Sequence, residues 1–374
     1  MSSLDPSANT DRASSPARRR IVIVCFAAAT LLAADLIVRH AEPLLNTYQI
    51  NNFDKKYTDV SSRRLPDIIL MGSSRSMYAL VPDEFTRATG LEAYNFGISG
   101  SKVAEWQLLV KRSFSQRRPK LVVLGVNASE FRADYTQAQA ARHLFNWSDL
   151  AEAVVHDGPS LDVLGAFAAQ KLGPLWATFY RSGELRLWGE EKLAALLPKH
   201  AQFAREVRER VARPLTHDGY EHPWAMGERL KNIEEQFLAN PVAFETASIP
   251  LFSKEAPAYR RFGEMLDWLR EAGIATIVAY VPNSPRTEKR WAIVEPQMIA
   301  AIADVCREHD TPFAQCPQSL IPRTNRDYLD ETHVGYDLGL RISRQVVRQS
   351  IVMNLIPSVS PTVARADNAT ETQP

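Results

Sequence analysis

Four short stretches of this chain carry residue types that could do acyl-group chemistry. Gly72-Ser73-Ser74 closes a first apolar run, Asn95-Phe96-Gly97 a second and Gly125-Val126-Asn127 a third, while Asp330-Glu331-Thr332-His333 lies in a loop ahead of the closing helix. A hydroxyl is a weak nucleophile until a base takes its proton, and a histidine three residues after an aspartate can be that base. The carboxylate fixes the imidazole tautomer and leaves the opposite ring nitrogen facing the hydroxyl. Taken singly, the stretches have ordinary explanations. Serine after a strand commonly caps a helix, and asparagine or aspartate commonly builds a turn. Their joint placement carries the inference, because ligands of an open parallel sheet bind beyond the carboxyl ends of its strands.

The elements that must position these residues read as short apolar runs alternating with helix-period segments, the pattern of a parallel sheet flanked by helices. Strands are expected over 67–71, 91–96, 120–126, 274–281 and 312–316. A helix is expected through Met77, Tyr78, Leu80, Val81 and Phe85, with Gly90 as its left-handed cap. Ser101 is expected to cap a second helix that carries Val103, Trp106, Val110 and Phe114 on one face. Further helices are expected over 259–269, 296–309 and 342–351. The sum is an α/β domain over residues 65–356, a three-layer flavodoxin-like fold with a five-stranded parallel sheet joined by right-handed crossovers. It is interrupted over about 131–256, where strand alternation is lost and the segments 184–197 and 228–238 predict a helical insertion.

With 374 residues and 45% hydrophobic content the chain can bury one large core or two moderate ones. A net charge of +1 creates no long-range field for a polyanion, which argues against nucleic acid as a partner. The polar tail 1–20 ends in Arg18, Arg19 and Arg20, immediately before the apolar run 21–38. That run rises ~27 Å as a helix, just enough to cross a hydrocarbon core. The arginines would hold its start in the cytoplasm. The expectation is a single-pass inner (cytoplasmic) membrane protein with its domain on the periplasmic or extracytoplasmic side. A cleaved signal peptide is the other reading; Leu32, where a site ending at Ala34 wants a small residue, favours the anchor. Asp35 is expected to reach water near the outer end, and bulky Val22, Ile23 and Val24 leave no lipobox before Cys25. Residues 39–64 read as a juxtamembrane linker and 357–374 as a disordered tail. Cys306 and Cys316 are either bridged or two separate core thiols.

Ile68-Ile69-Leu70-Met71-Gly72-Ser73-Ser74 resembles the first block of the SGNH, or GDSL-like, hydrolases, whose last serine is the nucleophile. Gly97, Asn127 and the Asp330/His333 pair resemble the family's second, third and fifth blocks, over about residues 66–130 and 256–350. Two positions depart: Ser73 and Ala128 stand where the family usually has aspartate. The resemblance is to membrane-tethered branches that modify envelope polysaccharides, such as alginate O-acetyltransferases and D-alanine transfer proteins of teichoic acid.

The resemblance implies Ser74 as nucleophile, His333 as general base and acid, and Asp330 as its orienting carboxylate. It implies the backbone N–H groups of Ser74 and Gly97 and the side-chain amide of Asn127 as oxyanion donors. The implied substrate is a carbohydrate or other acyl ester, with an acetyl-sized group and a membrane partner that supplies the acyl donor. No cofactor or metal is expected, since His143, His156, His200, His217 and His222 lack the paired spacing of a metal site. Arg75 is expected to be solvated, and Trp147, Trp176, Trp188 and Trp224 to anchor the packing of the insertion. Two other classes stay open: a non-catalytic envelope protein that binds polysaccharide or a biosynthetic partner, and a simple lipid or aryl esterase.

Overall fold

Five short runs become parallel strands: β1 (Ile68–Gly72), β2 (Ala93–Gly97), β3 (Leu121–Val126), β4 (Ala275–Tyr280) and β5 (Phe313–Ala314). The structure is a computed structural model that describes residues 16–41, 65–115, 117–131, 217–220 and 250–356, with isolated positions such as Lys56, Thr178 and Trp188 between them. The α-helices among the described residues are α1 (Pro16–His40), α2 (Ser74–Ala79), α3 (Pro82–Thr89), α4 (Val103–Ser113), α5 (Pro257–Glu271), α6 (Pro285–Arg290), α7 (Glu295–Glu308) and α8 (Tyr336–Val352).

The strand order is β2-β1-β3-β4-β5. Every residue of β1 and β3 is buried, which requires cover on both faces of the sheet. Because side chains alternate along a strand, Ile69, Met71, Val122 and Leu124 join one core with Trp106, Phe262 and Met298 of α4, α5 and α7. Ile68, Leu70, Leu121 and Val123 join the other, with Met77, Phe85 and Ile342 of α2, α3 and α8. Phe85, fully buried, would cost about 3–5 kcal/mol if cut back to alanine.

Several local expectations change. The helix expected through Phe85 is two helices, because Pro82 opens α3 and has no N–H to continue the ladder of α2. Gly90 does end α3 in the left-handed region, at φ 67. Ser101 does not cap α4: its hydroxyl donates to the Ile98 and Gly72 carbonyls and accepts the Trp106 indole N–H. Helix α6, absent from the expectations, carries a legible signature in its Ser284 cap and Pro285 first residue.

The two cysteines pack into cores on opposite faces of the sheet, and both are free. Helix α1 is long and apolar enough over Arg20–His40 to cross a membrane, and Ile21, Val22 and Phe26 are exposed. Asp35 departs from its expected solvation. It is 9% exposed, pairs with Arg39 at 2.8 Å and accepts the Thr178 N–H at 2.9 Å. A carboxylate in an apolar helix is costly unless so satisfied.

Residues 1–15 of the expected tail 1–20, the tail 357–374, residues 42–64 of the expected linker apart from Lys56, and the helix at 228–238 lie outside the described residues, whereas 16–20 and 39–40 belong to α1. Within 184–197, Leu185, Arg186, Trp188, Gly189 and Lys192 are helical. The segment 217–220 docks on the edge of β2, where the Asp218 carbonyl accepts the Asn95 N–H at 2.8 Å. Gly219, at φ 74, permits this approach: a Cβ there would stand 2.5 Å from the Asn95 carbonyl oxygen.

Candidate active site

The turn after β1 holds Ser74 at the first position of α2 because the residues beneath it are small. A Cβ on Gly72 would lie 2.1 Å from the Ser76 hydroxyl, and one on Gly125 2.4 Å from it. That hydroxyl instead donates to the Gly125 carbonyl at 2.6 Å, so α2 is bolted directly onto the end of β3. Ser73 caps the helix by accepting the Arg75 N–H. At the other end of α2, Asn95 donates to the Met77 and Leu80 carbonyls at 3.1 and 2.7 Å, satisfying groups the helix itself leaves unpaired.

The loop that carries Asp330 and His333 is closed on itself. Tyr328 and Val334 form an antiparallel bridge, the Leu329 N–H donates to the His333 carbonyl at 2.7 Å, and the Gly335 N–H donates to the Asp327 carbonyl at 2.7 Å. The Tyr328 hydroxyl donates to the Asn283 carbonyl beyond β4 at 2.7 Å. Glu331 ties the loop to α6: its carbonyl accepts from Ser284 N–H and Thr287 Oγ1, and its carboxylate takes two bonds from Arg290 at 3.1 and 2.8 Å.

Helix α8 brings the two halves together. A Cβ on Gly339 would lie 2.7 Å from the Tyr78 carbonyl oxygen. One turn on, Ser343 donates to the Ala79 carbonyl at 3.0 Å and accepts the Val81 N–H at 2.8 Å. The end of α2 and the start of α8 are therefore locked face to face, and His333, just ahead of α8, reaches Ser74.

Ser74 Oγ and His333 Nε2 are 2.8 Å apart across 259 residues of sequence, and His333 Nδ1 lies 2.5 Å from Asp330 Oδ2. An ionised carboxylate only accepts, so the Nδ1–H donates to Asp330 and Nε2 accepts from Ser74. Asp330 Oδ1 accepts the Thr332 and His333 N–H groups at 2.7 and 2.9 Å. Burial alone would raise the Asp330 pKa, but the His333 charge and these hydrogen bonds prevail and hold the carboxyl well below the usual range. The Tyr78 ring meets the imidazole edge-on, with centroids 5.5 Å apart.

A second carboxylate, Glu130, was not anticipated. Its side chain has no exposed surface, and it accepts from the Ser73 hydroxyl and the Asn127 N–H, with Arg75 Nη1 at 3.4 Å. Burying a carboxylate costs several kcal/mol, which these donors offset. Ser73 thus meets a carboxylate that follows the end of β3. Arg75 is half-buried against it, and not the solvated side chain expected.

Two expected oxyanion donors are spoken for. The Asn127 amide is fully buried and donates to the Val281 carbonyl at 2.8 Å and to Asn283 Oδ1 at 3.1 Å, while its oxygen accepts the Ser129 N–H. Asn283 in turn donates to Glu295, whose carboxyl is pushed up by burial. Asn127 therefore ends a buried polar chain that braces β3 against β4 and offers no spare N–H. The Gly97 N–H donates to Asn95 Oδ1 at 2.9 Å, and its carbonyl accepts from buried Lys56 at 2.7 Å. Gly97 instead gives α2 room: a Cβ there would lie 2.9 Å from Met77 backbone atoms. The Ser74 N–H, at the first position of α2, has no acceptor within its own helix.

No protein-family model matches the chain, and a search of curated proteins returned no relative.

Proposed function

We propose that this protein is a membrane-anchored serine esterase or O-acyltransferase of the SGNH type, built on a three-layer flavodoxin-like domain. The observation that carries the reading is the unbroken row from Ser74 through His333 to Asp330. A hydroxyl, an imidazole in the correct tautomer and a depressed carboxylate are the parts of a nucleophilic acyl-transfer centre.

In the reaction, Ser74 Oγ attacks the ester carbonyl carbon while His333 Nε2 takes its proton. Asp330 holds the ring and stabilises the imidazolium. The Ser74 N–H, at the helix start, is the retained candidate for meeting the oxyanion. The carbon–oxygen bond to the leaving alcohol breaks as Nε2 returns the proton, leaving acyl-Ser74. Water or a sugar hydroxyl, deprotonated by the same nitrogen, then takes the acyl group and regenerates Ser74.

The substrate is read as a small acyl ester of an envelope polysaccharide, reached from the extracytoplasmic side of the inner membrane, with a membrane partner supplying the donor in the transfer case. Helix α1 and the arginines near its start support the anchor and its orientation. The test is labelling of the full chain in detergent by a fluorophosphonate probe beside Ser74→Ala. Labelling of the parent alone supports the enzyme; silence in both favours a polysaccharide-binding module. Product analysis with acetylated and unacetylated glycans, with and without a donor ester, then separates hydrolysis from transfer.

A further inference from the structure

Lys56 lies between α1 and β1, in the stretch whose sequence reads as a juxtamembrane linker, yet it is 1% exposed. Taking an ammonium out of water is costly, and an apolar residue would fill the same space without that cost. The charge therefore calls for a role beyond packing. Its Nζ donates to the Gly97 carbonyl at 2.7 Å. Gly97 closes β2, the edge strand of the sheet, and is paired with Gly72 at the end of β1.

The peptide between Gly97 and Ile98 is trans, so its C=O and N–H point opposite ways. The carbonyl faces the open edge of the sheet and meets Lys56, while the Ile98 N–H faces β1 and donates to the Gly72 carbonyl at 2.9 Å. The Ser101 hydroxyl donates to that same carbonyl at 3.1 Å. Gly72 opens the turn that carries Ser74. The direction of its carbonyl sets the peptide leading into Ser73, whose own carbonyl accepts the Met77 N–H at 3.0 Å as α2 begins.

An ammonium and two successive peptide groups thus stand in a row from the sheet edge to the nucleophile turn. Each hydrogen bond in such a row strengthens the next, and a charged donor at its head is a strong one. With the Asn127 amide and the Gly97 N–H committed elsewhere, the acyl-transfer chemistry at this rim falls on Ser74 Oγ and the Ser74 N–H. The turn sets the direction of both.

We propose that Lys56 is a positioning residue of the acyl-transfer site: its ammonium fixes the Gly97–Ile98 peptide and, through it, the Gly72 carbonyl and the presentation of Ser74. The inference rests on the catalytic reading above and adds to that site a residue from outside the expected domain.

Fluorophosphonate labelling and turnover of a short acyl ester by the full chain in detergent test it. Lys56→Ala is expected to label about tenfold more slowly than the parent, the scale of one charge-assisted hydrogen bond, with kcat reduced and KM level. Added ethylammonium should restore much of the rate, whereas tetramethylammonium, which has the charge but no N–H, should not. Lys56→Met fills the space with an apolar chain, and it should fold and stay slow. Lys56→Arg, which keeps a cationic donor, should label faster than Lys56→Met.

Parental rates in Lys56→Met, equal rates in Lys56→Met and Lys56→Arg, or rescue by both cations alike would overturn the proposal. So would a slow rate that tracks a lowered melting temperature and that no amine recovers, since packing alone would explain it. Failure of the parent itself to label removes the catalytic reading and this inference with it, whereas a labelled parent with an equally fast Lys56→Met removes the inference alone.

Discussion

Ser73 donates its hydroxyl hydrogen to Glu130, a carboxylate without exposed surface 57 residues further along the chain. That bond joins the turn that carries Ser74 to the segment following β3. Glu130→Ala would leave the Ser73 hydroxyl, the Asn127 N–H and the Arg75 guanidinium without their acceptor. We expect a loss of about 3 kcal/mol in denaturant unfolding, with slower labelling of Ser74. Glu130→Gln keeps a carbonyl acceptor and should lose less; two variants as stable as the parent would contradict the role.

The depressed carboxyl of Asp330 makes stability depend on pH with a definite sign. Below its unfolded value of about 3.9 the unfolded chain takes up a proton that the folded one still resists. The contribution is therefore full above that value and drains away as pH falls through the lower folded-state value. The stability gap between parent and Asp330→Asn, measured by urea unfolding, should shrink as pH falls below about 4. A gap that widens in acid would contradict the assignment.

Gly72 carries a φ of +148 and has the Gly125 carbonyl oxygen 2.4 Å from where a Cβ would stand. Gly72→Ala should cost about 1–3 kcal/mol by overpacking alone and displace Ser74. Ser76→Gly removes only the hydroxyl side of the clash, so it should not rescue Gly72→Ala, because the backbone carbonyl remains. Unfolding curves of the single and double variants decide this.

Arg290 acts through Glu331 and touches no reacting atom, so its removal should show in the chemical step more than in binding. Arg290→Ala is expected to slow fluorophosphonate labelling of Ser74 about tenfold, near 1.4 kcal/mol of barrier. In ester turnover kcat should fall while KM stays level. Arg290→Lys should recover part of the rate, since an ammonium cannot reproduce the two-point grip on the carboxylate. A rise in KM with unchanged kcat would sink the positioning role.

Much of the framework was legible because its signals are local. The apolar runs at 68–72 and 121–126 announce strands through composition and length, and Gly90 announces a helix end through the left-handed conformation it adopts at little cost. The partners of polar groups were not legible. Asn127 looks the same in sequence whether its amide faces a substrate or the Val281 carbonyl, and only the register of β3 on β4 settles which. Glu130 follows Asn127 by three residues, a spacing that signals nothing until Ser73 and Arg75 are seen beside it.

By itself the sequence determined the α/β alternation, the apolar N-terminal helix and the residue types at the strand ends, since periodicity and side-chain chemistry belong to neighbours along the chain. Only the tertiary structure decided that Ser74 meets His333, that Gly97 and Asn127 turn their N–H groups inward, and that Asp35 accepts from Thr178. Hydrogen bonds are decided by a few ångströms in space, and the packing of α8 on α2 sets that distance for residues 259 positions apart.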